Sequence, residues 1–348
     1  MPQFAISREY LLQVLEDLIS TPSPTGDTEW AASMIQNELQ LMGLSGVKTT
    51  KGALVCAWEG LKDDAPRGLT AHVDTLGAIV AEIKSSGRLR LKALNGVNWP
   101  TVESEGVYIQ TQSGQQIRGS MVLTNGAVHV NREAGKTERN ADTLEVRIDE
   151  RTSSAIETRQ LGIEVGDYVA FDPRYEAGDA GYIRSRFLDD KACVACLLAA
   201  CKALRDIDVT PAKRTHLLFS VHEEVGHGGF DGLPLDLQEL LILDMACIGT
   251  GQNGSEHNCS ICLADSSGPY SKQLSDRLRS IAQDQGIVLK PDIYPYYGSD
   301  GSAYWRMGGQ AQVALIGPGV DTSHGYERTH IDALIDTALL IAEYLVTD

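Results

Sequence analysis

The sequence predicts an α/β fold, a mixed sheet covered by helices, with a small β-rich domain inserted into it. Three observations support this prediction. Apolar residues recur at helical spacing near both chain ends, helices alternate with apolar strands after residue 188, and the stretch from about 77 to 182 lacks long helical periodicity. The 348 residues also suffice for about two domains. We therefore expect residues 1–76 and 183–348 to form one discontinuous domain and residues 77–182 to form the insertion.

The N-terminal segment predicts two helices followed by strands. The helical runs are REYLLQVLEDLI and EWAASMIQNELQLMG, and the connecting STPSPTGD contains proline, serine and glycine, which interrupt helices. The β-rich runs ALVCAWEG and RGLTAHVDTLGAIVAEI come next. The chain therefore forms its first long apolar strand before the insertion begins.

The middle of the chain consists of short alternating segments. Residues 106–130, 143–150 and 165–173 are broken by Gly, Asn and Asp, which is typical of a small antiparallel β domain. After this stretch the pattern changes to alternating helices and apolar strands, which favours a sheet covered on both faces. The predicted helices cover 189–206, 271–286 and 331–346, and the predicted strands cover 214–221, 239–246 and 312–317.

The charge of the chain argues against two classes of partner. Its formal net charge is −17 and it has no basic run, so nucleic acids and anionic membranes would be repelled. The N-terminus lacks a basic stretch followed by an apolar block, and nowhere do about 18 apolar residues run together. We therefore expect a soluble cytoplasmic protein with no signal peptide and no membrane span.

Polar side chains follow several predicted strands directly. His72 and Asp74 come after GLTA, Glu223 and Glu224 after LLFSVH, and Asp244 after ELLIL. Ligand sites in open α/β sheets form outside the carboxyl ends of the strands. We therefore expect these five residues to converge in one crevice.

Two other segments are expected at the same crevice. Asp189 and Asp190 open a predicted helix, where carboxylates commonly act as caps; we assign that role to Asp190 and leave both roles open for Asp189. His324 follows a loop that contains Pro and Gly. Histidines and carboxylates concentrated in this way need cations to neutralise them. They suit zinc, cobalt or manganese better than calcium or magnesium, and a shared carboxylate would allow two ions.

The segment HEEVGH at residues 222–227 is close to the zinc-protease signature H-E-x-x-H, but its second histidine comes one residue late. Because glycines follow, the segment cannot place His222 and His227 one turn apart on a helix, and we expect both to be incidental. The adjacent glutamates can point in different directions at a strand end. One could then bind a metal ion while the other takes a proton from water.

Taken together, these motifs resemble the tetrahedral aminopeptidases, a family of two-metal enzymes. The matching segments follow the family order over nearly the whole chain: PSPTGD, AHVDTLG, FLDDKACVA, VHEEVGHGG, LDMA, YGSDGSAYW and SHGYE. The resemblance implies a phosphorylase-type, zinc-peptidase-like α/β domain interrupted by a β-barrel-like dimerisation module. It also implies homo-oligomers in which dimers assemble into a dodecamer.

The resemblance implies two divalent metal ions per subunit, zinc in the first place, with cobalt and manganese as alternatives. His72 and Asp244 would hold one ion. Glu224 and His324 would hold the other, and Asp189 would bridge them.

Two further roles follow from the resemblance. Glu223 would be the general base, and Asp74 would orient the His72 imidazole. The segment HGYERTH is one residue shorter between its first histidine and the glutamate than the family pattern, so His330 stays an alternative to His324 as the last ligand.

The implied activity is hydrolysis of the N-terminal residue of short peptides. An amidase or deacylase acting on a modified amino acid or a dipeptide-like metabolite stays open. So does a glycoside hydrolase, a label that relatives of the family have carried, although a sugar cleft is usually rich in aromatics and only 6% of these residues are aromatic. A non-catalytic scaffold is disfavoured, because every implied ligand position holds a competent residue type.

Overall fold

The computed structural model describes residues 4–348, which divide into two compact units. The first unit runs up to Asp74 and resumes from Arg174 to Asp348, and the second unit is Thr75–Pro173. Within residues 4–348, no helix has both the length and the apolar character that crossing a membrane requires.

The helices lie where apolar side chains recur at helical spacing. In the first helix Leu11, Val14, Leu15 and Leu18 form one buried face, and the Ser7 hydroxyl accepts the N–H of Tyr10 as an N-cap. The helices are α1 Arg8–Ser20, α2 Glu29–Leu41, α3 Trp99–Val102, α4 Ala155–Gln160, α5 Leu188–Asp206, α6 Lys272–Gln285, α7 Asp300–Arg306 and α8 Ile331–Val346.

The strands are interspersed with helices in both units. They are β1 Gly46–Lys48, β2 Leu54–Trp58, β3 Lys62–His72, β4 Gly77–Ile83, β5 Leu89–Leu94, β6 Gly106–Gln110, β7 Gln116–Leu123, β8 Leu144–Ile148, β9 Tyr168–Phe171, β10 Glu176–Ala177, β11 Tyr182–Ser185, β12 Lys213–Ser220, β13 Glu239–Leu243, β14 Ala246–Cys247, β15 Cys259–Asp265, β16 Gly268–Pro269, β17 Leu289–Ile293, β18 Gln312–Val320 and β19 Glu327–His330.

A ten-stranded mixed sheet forms the centre of the first unit. Its main order is β1-β2-β12-β3-β13-β18-β15-β16, and β14 and β17 pair with β18 and β15. The strands β12, β3, β13 and β18 are mutually parallel. Every residue of β3 from Arg67 to His72 is buried, so both faces of the sheet are covered there. Helices α1 and α8 pack against α5, which also contacts β3.

A second, three-stranded sheet of the first unit has the order β10-β11-β19. Its register pairs Tyr182 with His330 and Ser185 with Glu327. The segment 174–182, which the sequence analysis assigns to the insertion, therefore pairs within the first unit. Strands this short are too brief to show a recognisable sequence pattern. Their place is set by pairing with residues about 150 positions away, which local sequence does not reveal.

The second unit is built around a closed six-stranded barrel of order β4-β5-β8-β7-β6-β9. Alternate residues of β7, from Ile117 to Leu123, are buried, as expected for a small barrel filled by side chains. The mixed sheet with its helices and the closed barrel confirm the predicted fold class. A role of the barrel in dimerisation stays a prediction.

Candidate metal centre

The candidate site lies at the carboxyl ends of three adjacent parallel strands. Strand β3 ends at His72, β12 at Ser220 and β13 at Leu243. The register pairs Ser220 with His72 and Ile242 with Thr70, so the three strands end at nearly the same level. The residues that follow them therefore reach the same edge of the sheet, as the sequence analysis expects.

The two glutamates of HEEVGH lie on a short 3-10 helix, Glu223–Val225, that follows β12. One oxygen of Asp74 accepts the backbone N–H of Glu223 at 3.1 Å, and the other accepts that of Glu224 at 3.3 Å. The Thr25 hydroxyl donates to the same carboxylate at 2.7 Å. Gly226 ends the turn with a φ of +79°, which favours glycine. Asp74 thus fixes the backbone that carries both glutamates.

His72 is 2% exposed and is held by both of its ring nitrogens. Nδ1 lies 2.9 Å from the backbone carbonyl oxygen of Asp74, an acceptor, so Nδ1 carries the proton. The carboxylate of Asp74 is farther away, with Oδ1 at 3.6 Å from Nδ1. Nε2 lies 3.1 Å from Oδ1 of Asp189 and 3.8 Å from Oε2 of Glu223. The carbonyl of Asp74 therefore makes the shortest contact that orients the ring.

Asp189 and Asp190 both face into the crevice. They open α5 with non-helical backbone angles. Oδ2 of Asp190 accepts the N–H of His72 at 3.2 Å, and its Oδ1 is buried without a hydrogen-bond partner among the described residues. The capping role that the sequence predicts for Asp190 is therefore wrong. The bend at these two residues turns both carboxylates inward, whereas a capping carboxylate would stay beside the first helical turn.

His324 reaches the acids of the site, and His330 does not. Nε2 of His324 lies 3.5 Å from Oδ2 of Asp189 and 3.7 Å from Oε2 of Glu224. Nε2 of His330 lies 2.9 Å from the carbonyl oxygen of Ala180. The geometry therefore favours His324 of the two candidates for the last ligand.

Glu327 was not predicted to take part in the site. It is buried, its Oε2 accepts the backbone N–H of Asp189 at 3.1 Å, and its Oε1 accepts that of His324 at 3.1 Å. The only sequence signal for this role is an acidic residue three positions after His324. One carboxylate thus fixes two segments that carry candidate ligands.

The crevice contains two sets of three residues that could bind a metal ion. Within each set, one possible ligand atom from each residue lies within 4.8 Å of the others. One set comes from His72, Asp189 and Glu224, and the other from His72, Asp190 and Asp244. Four of the five predicted metal ligands therefore belong to these sets, and His324 lies beside the first set. The ligand roles themselves stay predictions.

The electrostatics of the crevice call for added positive charge. Burial, followed by repulsion from Asp189, raises the pKa of Glu224 to about 8 and that of Asp244 to about 8. Burial alone would lower the pKa of His72, but Asp189 and neighbouring acids raise it well above its usual value. Buried carboxylates in this number are costly unless cations neutralise them.

The residues present fit divalent metal ions. Because Nδ1 of His72 donates to a carbonyl, its Nε2 presents either a second proton or a lone pair to the carboxylate of Asp189. In the form with the lone pair, a cation bound to Nε2 and to the carboxylate oxygen 3.1 Å away would satisfy both atoms. The buried, unpartnered oxygen of Asp190 is a second acceptor that a cation would satisfy. Imidazole and carboxylate donors are those that zinc, cobalt and manganese accept.

Comparisons with known proteins show what this chain is similar to. The family model of the M42 glutamyl aminopeptidases matches residues 52–340. A Bacillus subtilis relative, provisionally named aminopeptidase YhfE, is 43% identical over 334 residues, which are 96% of this chain and 96% of the relative. The resemblance noted from the motifs is therefore confirmed.

Two solved structures have the same fold. Aminopeptidase APDkam598 from the archaeon Desulfurococcus kamchatkensis matches with a TM-score of 0.87 and 20% identity, over 97% of this chain and 95% of that one. The TET1 peptidase of Pyrococcus horikoshii matches with a TM-score of 0.83 and 21% identity, over 97% and 100%. At these identities the two structures show a shared fold only. The family is shown by the family model and by the Bacillus subtilis relative. The chain belongs to the M42 glutamyl aminopeptidase family.

Proposed function

We propose that this chain is a dinuclear metal-dependent aminopeptidase that hydrolyses the N-terminal residue of short peptides. Its family membership makes it a peptidase. The observation that carries the more specific proposal is the group of buried acids and imidazoles at the strand ends, with Glu223 beside it. The side chain of Glu223 is 15% exposed, whereas that of Glu224 is 5% exposed. Glu223 is thus the glutamate that a substrate can reach more easily.

Five residues would hold the two divalent ions: His72, Asp189, Glu224, Asp244 and His324. Asp189 is the best placed to be shared, because its two oxygens face the two histidines, at 3.1 Å and 3.5 Å. When bound, such ions polarise a scissile carbonyl and make water a stronger acid. Their donor types support zinc as the ion, with cobalt or manganese as alternatives.

Glu223 would be the general base. Its carboxylate lies at the crevice and can take a proton from water and pass it to the leaving amine. Burial and the neighbouring acids raise its pKa well above its usual value, which suits a group that must hold and release a proton. Asp74 would keep Glu223 in position by accepting its backbone N–H.

The substitution Glu223→Gln tests this mechanism. It keeps the size of the side chain and removes its ability to take a proton, so we expect unchanged metal content and a loss of kcat/KM of about 100-fold or more. The measurement is hydrolysis of an aminoacyl substrate together with metal analysis of the variant. Glu9→Gln, at an exposed position in α1, is the matched control. A fully active Glu223→Gln enzyme contradicts the mechanism.

Substrate choice separates this proposal from the alternatives. A free-amine substrate should be cleaved and its N-acylated form should not, whereas an amidase or deacylase would prefer the acylated form. A glycoside hydrolase should also survive a chelator. Family membership supports peptides over both alternatives.

We further propose that the chain forms homo-oligomers, in which the barrel unit makes dimers that assemble into a dodecamer, and that it works in the cytoplasm. The support is by likeness, since the Pyrococcus horikoshii TET1 peptidase can assemble into a tetrahedron or an octahedral shell. Twelve copies of this 37.7 kDa chain would weigh about 450 kDa, which sedimentation distinguishes from a dimer.

A further inference from the structure

We propose that His257, His330 and Asp332 form a separate site for a divalent transition-metal ion. This outer site shares no residue with the candidate metal centre and lies within the first unit. One ligand atom from each of the three side chains lies within 4.8 Å of the others. Two imidazoles and one carboxylate are a donor set that suits zinc, and water can complete the coordination.

The contacts of His330 support this inference most strongly. Its Nε2 lies 2.9 Å from the carbonyl oxygen of Ala180, which only accepts, so Nε2 carries a proton. Its Nδ1 accepts the backbone N–H of Asp332 at 3.2 Å and also lies 3.2 Å from Oδ2 of the same residue. In the neutral ring the lone pair on Nδ1 therefore accepts the Asp332 N–H with a carboxylate oxygen beside it, and an ion bound to Nδ1 and Oδ2 would replace this hydrogen bond. A backbone carbonyl that holds the far nitrogen is the usual arrangement for a metal-bound histidine.

Both rings are already oriented. The ring centroids of His257 and His330 are 4.5 Å apart, and Tyr182 makes T-shaped contacts with both rings. Gly181 has a φ of +87°, and a Cβ at this position would lie 2.5 Å from Nε2 of His330. A larger residue would therefore displace the His330 ring. Rings that are held in advance lose little freedom when an ion binds.

The surroundings leave the site open to an ion from solvent. His330 is buried, while His257 and Asp332 are exposed. The positive charge of Arg328, which lies over the ring of Tyr182, is paired with Glu256. The charge of Arg328 is thus balanced by Glu256 and should repel a bound ion only weakly.

An ion at the outer site would join two separate segments, the loop before β15 and the junction of β19 with α8. His257 precedes β15, His330 ends β19 and is the N-cap of α8, and Asp332 lies in the first turn of α8. The ion would act by holding these segments together, so its effect is on stability and not on the chemical step.

Zinc binding to metal-free protein tests the proposal. The wild type, His257→Ala and Asp332→Asn are dialysed against the same free zinc concentration and their zinc content is measured. We expect each variant to bind one zinc ion fewer per subunit than the wild type and to lose the part of the zinc-dependent rise in Tm that this ion provides. His129→Ala, which removes an exposed histidine of the barrel unit, should bind as much zinc as the wild type.

Two further results separate this site from the candidate metal centre. His72→Ala should lose zinc at the centre and keep it at the outer site, and anomalous diffraction from zinc-soaked crystals should show a peak between His257, His330 and Asp332. His257→Ala and Asp332→Asn change exposed residues, so we expect both variants to fold, and circular dichroism checks this. If His257→Ala and Asp332→Asn bind as much zinc as the wild type, or the anomalous peak is missing, the proposal is overturned.

Discussion

Glu327 links two candidate ligands through a single carboxylate. Its oxygens accept the backbone N–H groups of Asp189 and His324, and the residue is buried. Partners of metal ligands commonly change metal affinity by about 10-fold to 100-fold when they are mutated. Glu327 is therefore a positioning residue, which acts through the ligands that it holds.

The substitution Glu327→Gln should weaken metal binding by about 10-fold or more, because an amide keeps one acceptor oxygen and turns an NH2 group toward a backbone N–H. The measurement is the metal concentration that restores activity to the stripped protein, together with direct titration by calorimetry. Glu176→Gln, at an exposed position on β10, is the control. Unchanged metal affinity in Glu327→Gln would show that these two contacts do not position the ligands.

Part of the site could be predicted from single residues, and part could not. His72, Glu223 and Asp244 interrupt or follow apolar strands, and that pattern depends only on local sequence. Asp190 and Glu327 have no such pattern. A carboxylate at a helix start is ordinarily a cap, and only the backbone bend at Asp190 and the approach of distant segments give these two side chains their contacts.

At the scale of elements, a buried lysine ties helix α5 to the end of α1. Nζ of Lys191 donates to the carbonyl oxygens of Leu18 at 2.8 Å and Thr21 at 2.6 Å. These are carbonyls at the C-terminal end of α1, where helices leave acceptors unsatisfied. The end of α1 is thus fixed to α5.

The substitution Lys191→Met should lower the free energy of unfolding by about 2 kcal/mol, because it removes the donor that two carbonyl acceptors share. Thermal and urea unfolding followed by circular dichroism measure this change. Lys202→Met, on the same helix, removes a more exposed lysine that pairs with Asp206, and it should cost far less. If both variants lose the same free energy of unfolding, the bonds from Lys191 do not stabilise the contact between α1 and α5.

The barrel unit has two ion pairs on one buried carboxylate. Glu145 of β8 receives bonds from Lys84 at 2.8 Å and Arg88 at 2.5 Å. Burial raises the pKa of Glu145, but the two cations outweigh burial and lower it below the usual 4.5. Around pH 4.5 the unfolded chain therefore binds more protons than the folded chain, so this contribution to stability is present at higher pH and is lost as pH falls through the folded pKa.

Glu145→Gln should accordingly destabilise the protein at pH 7 and matter less at pH 4 and below. The measurement is the difference in urea midpoint between variant and wild type across this pH range. Glu164→Gln, whose partner Arg159 lies in an exposed pair at 3.6 Å, should show little difference at any pH. If the difference in urea midpoint between Glu145→Gln and the wild type stays constant with pH, the ion pairs do not lower the pKa of Glu145.

At the scale of the whole molecule, the alternation of helices and apolar strands predicted the helix-covered sheet, and the short alternating segments between Gly, Asn and Asp predicted the separate β-rich unit. The exact end of that unit was not predictable, because β11 is only four residues long and its place is set by pairing with β19. The choice between His324 and His330 was not predictable either. Both follow the same loop, and only the pairing of Tyr182 with His330 directs the latter toward Ala180.

The central claim is that residues drawn from distant parts of the chain form one cage for two divalent ions. Anomalous diffraction from crystals of the metal-loaded protein tests it most directly. The account predicts two peaks within bonding distance of His72, Asp189, Glu224, Asp244 and His324, and their loss after chelation together with the peptidase activity. A map without metal at these side chains, from a protein that stays active after chelation, would contradict it.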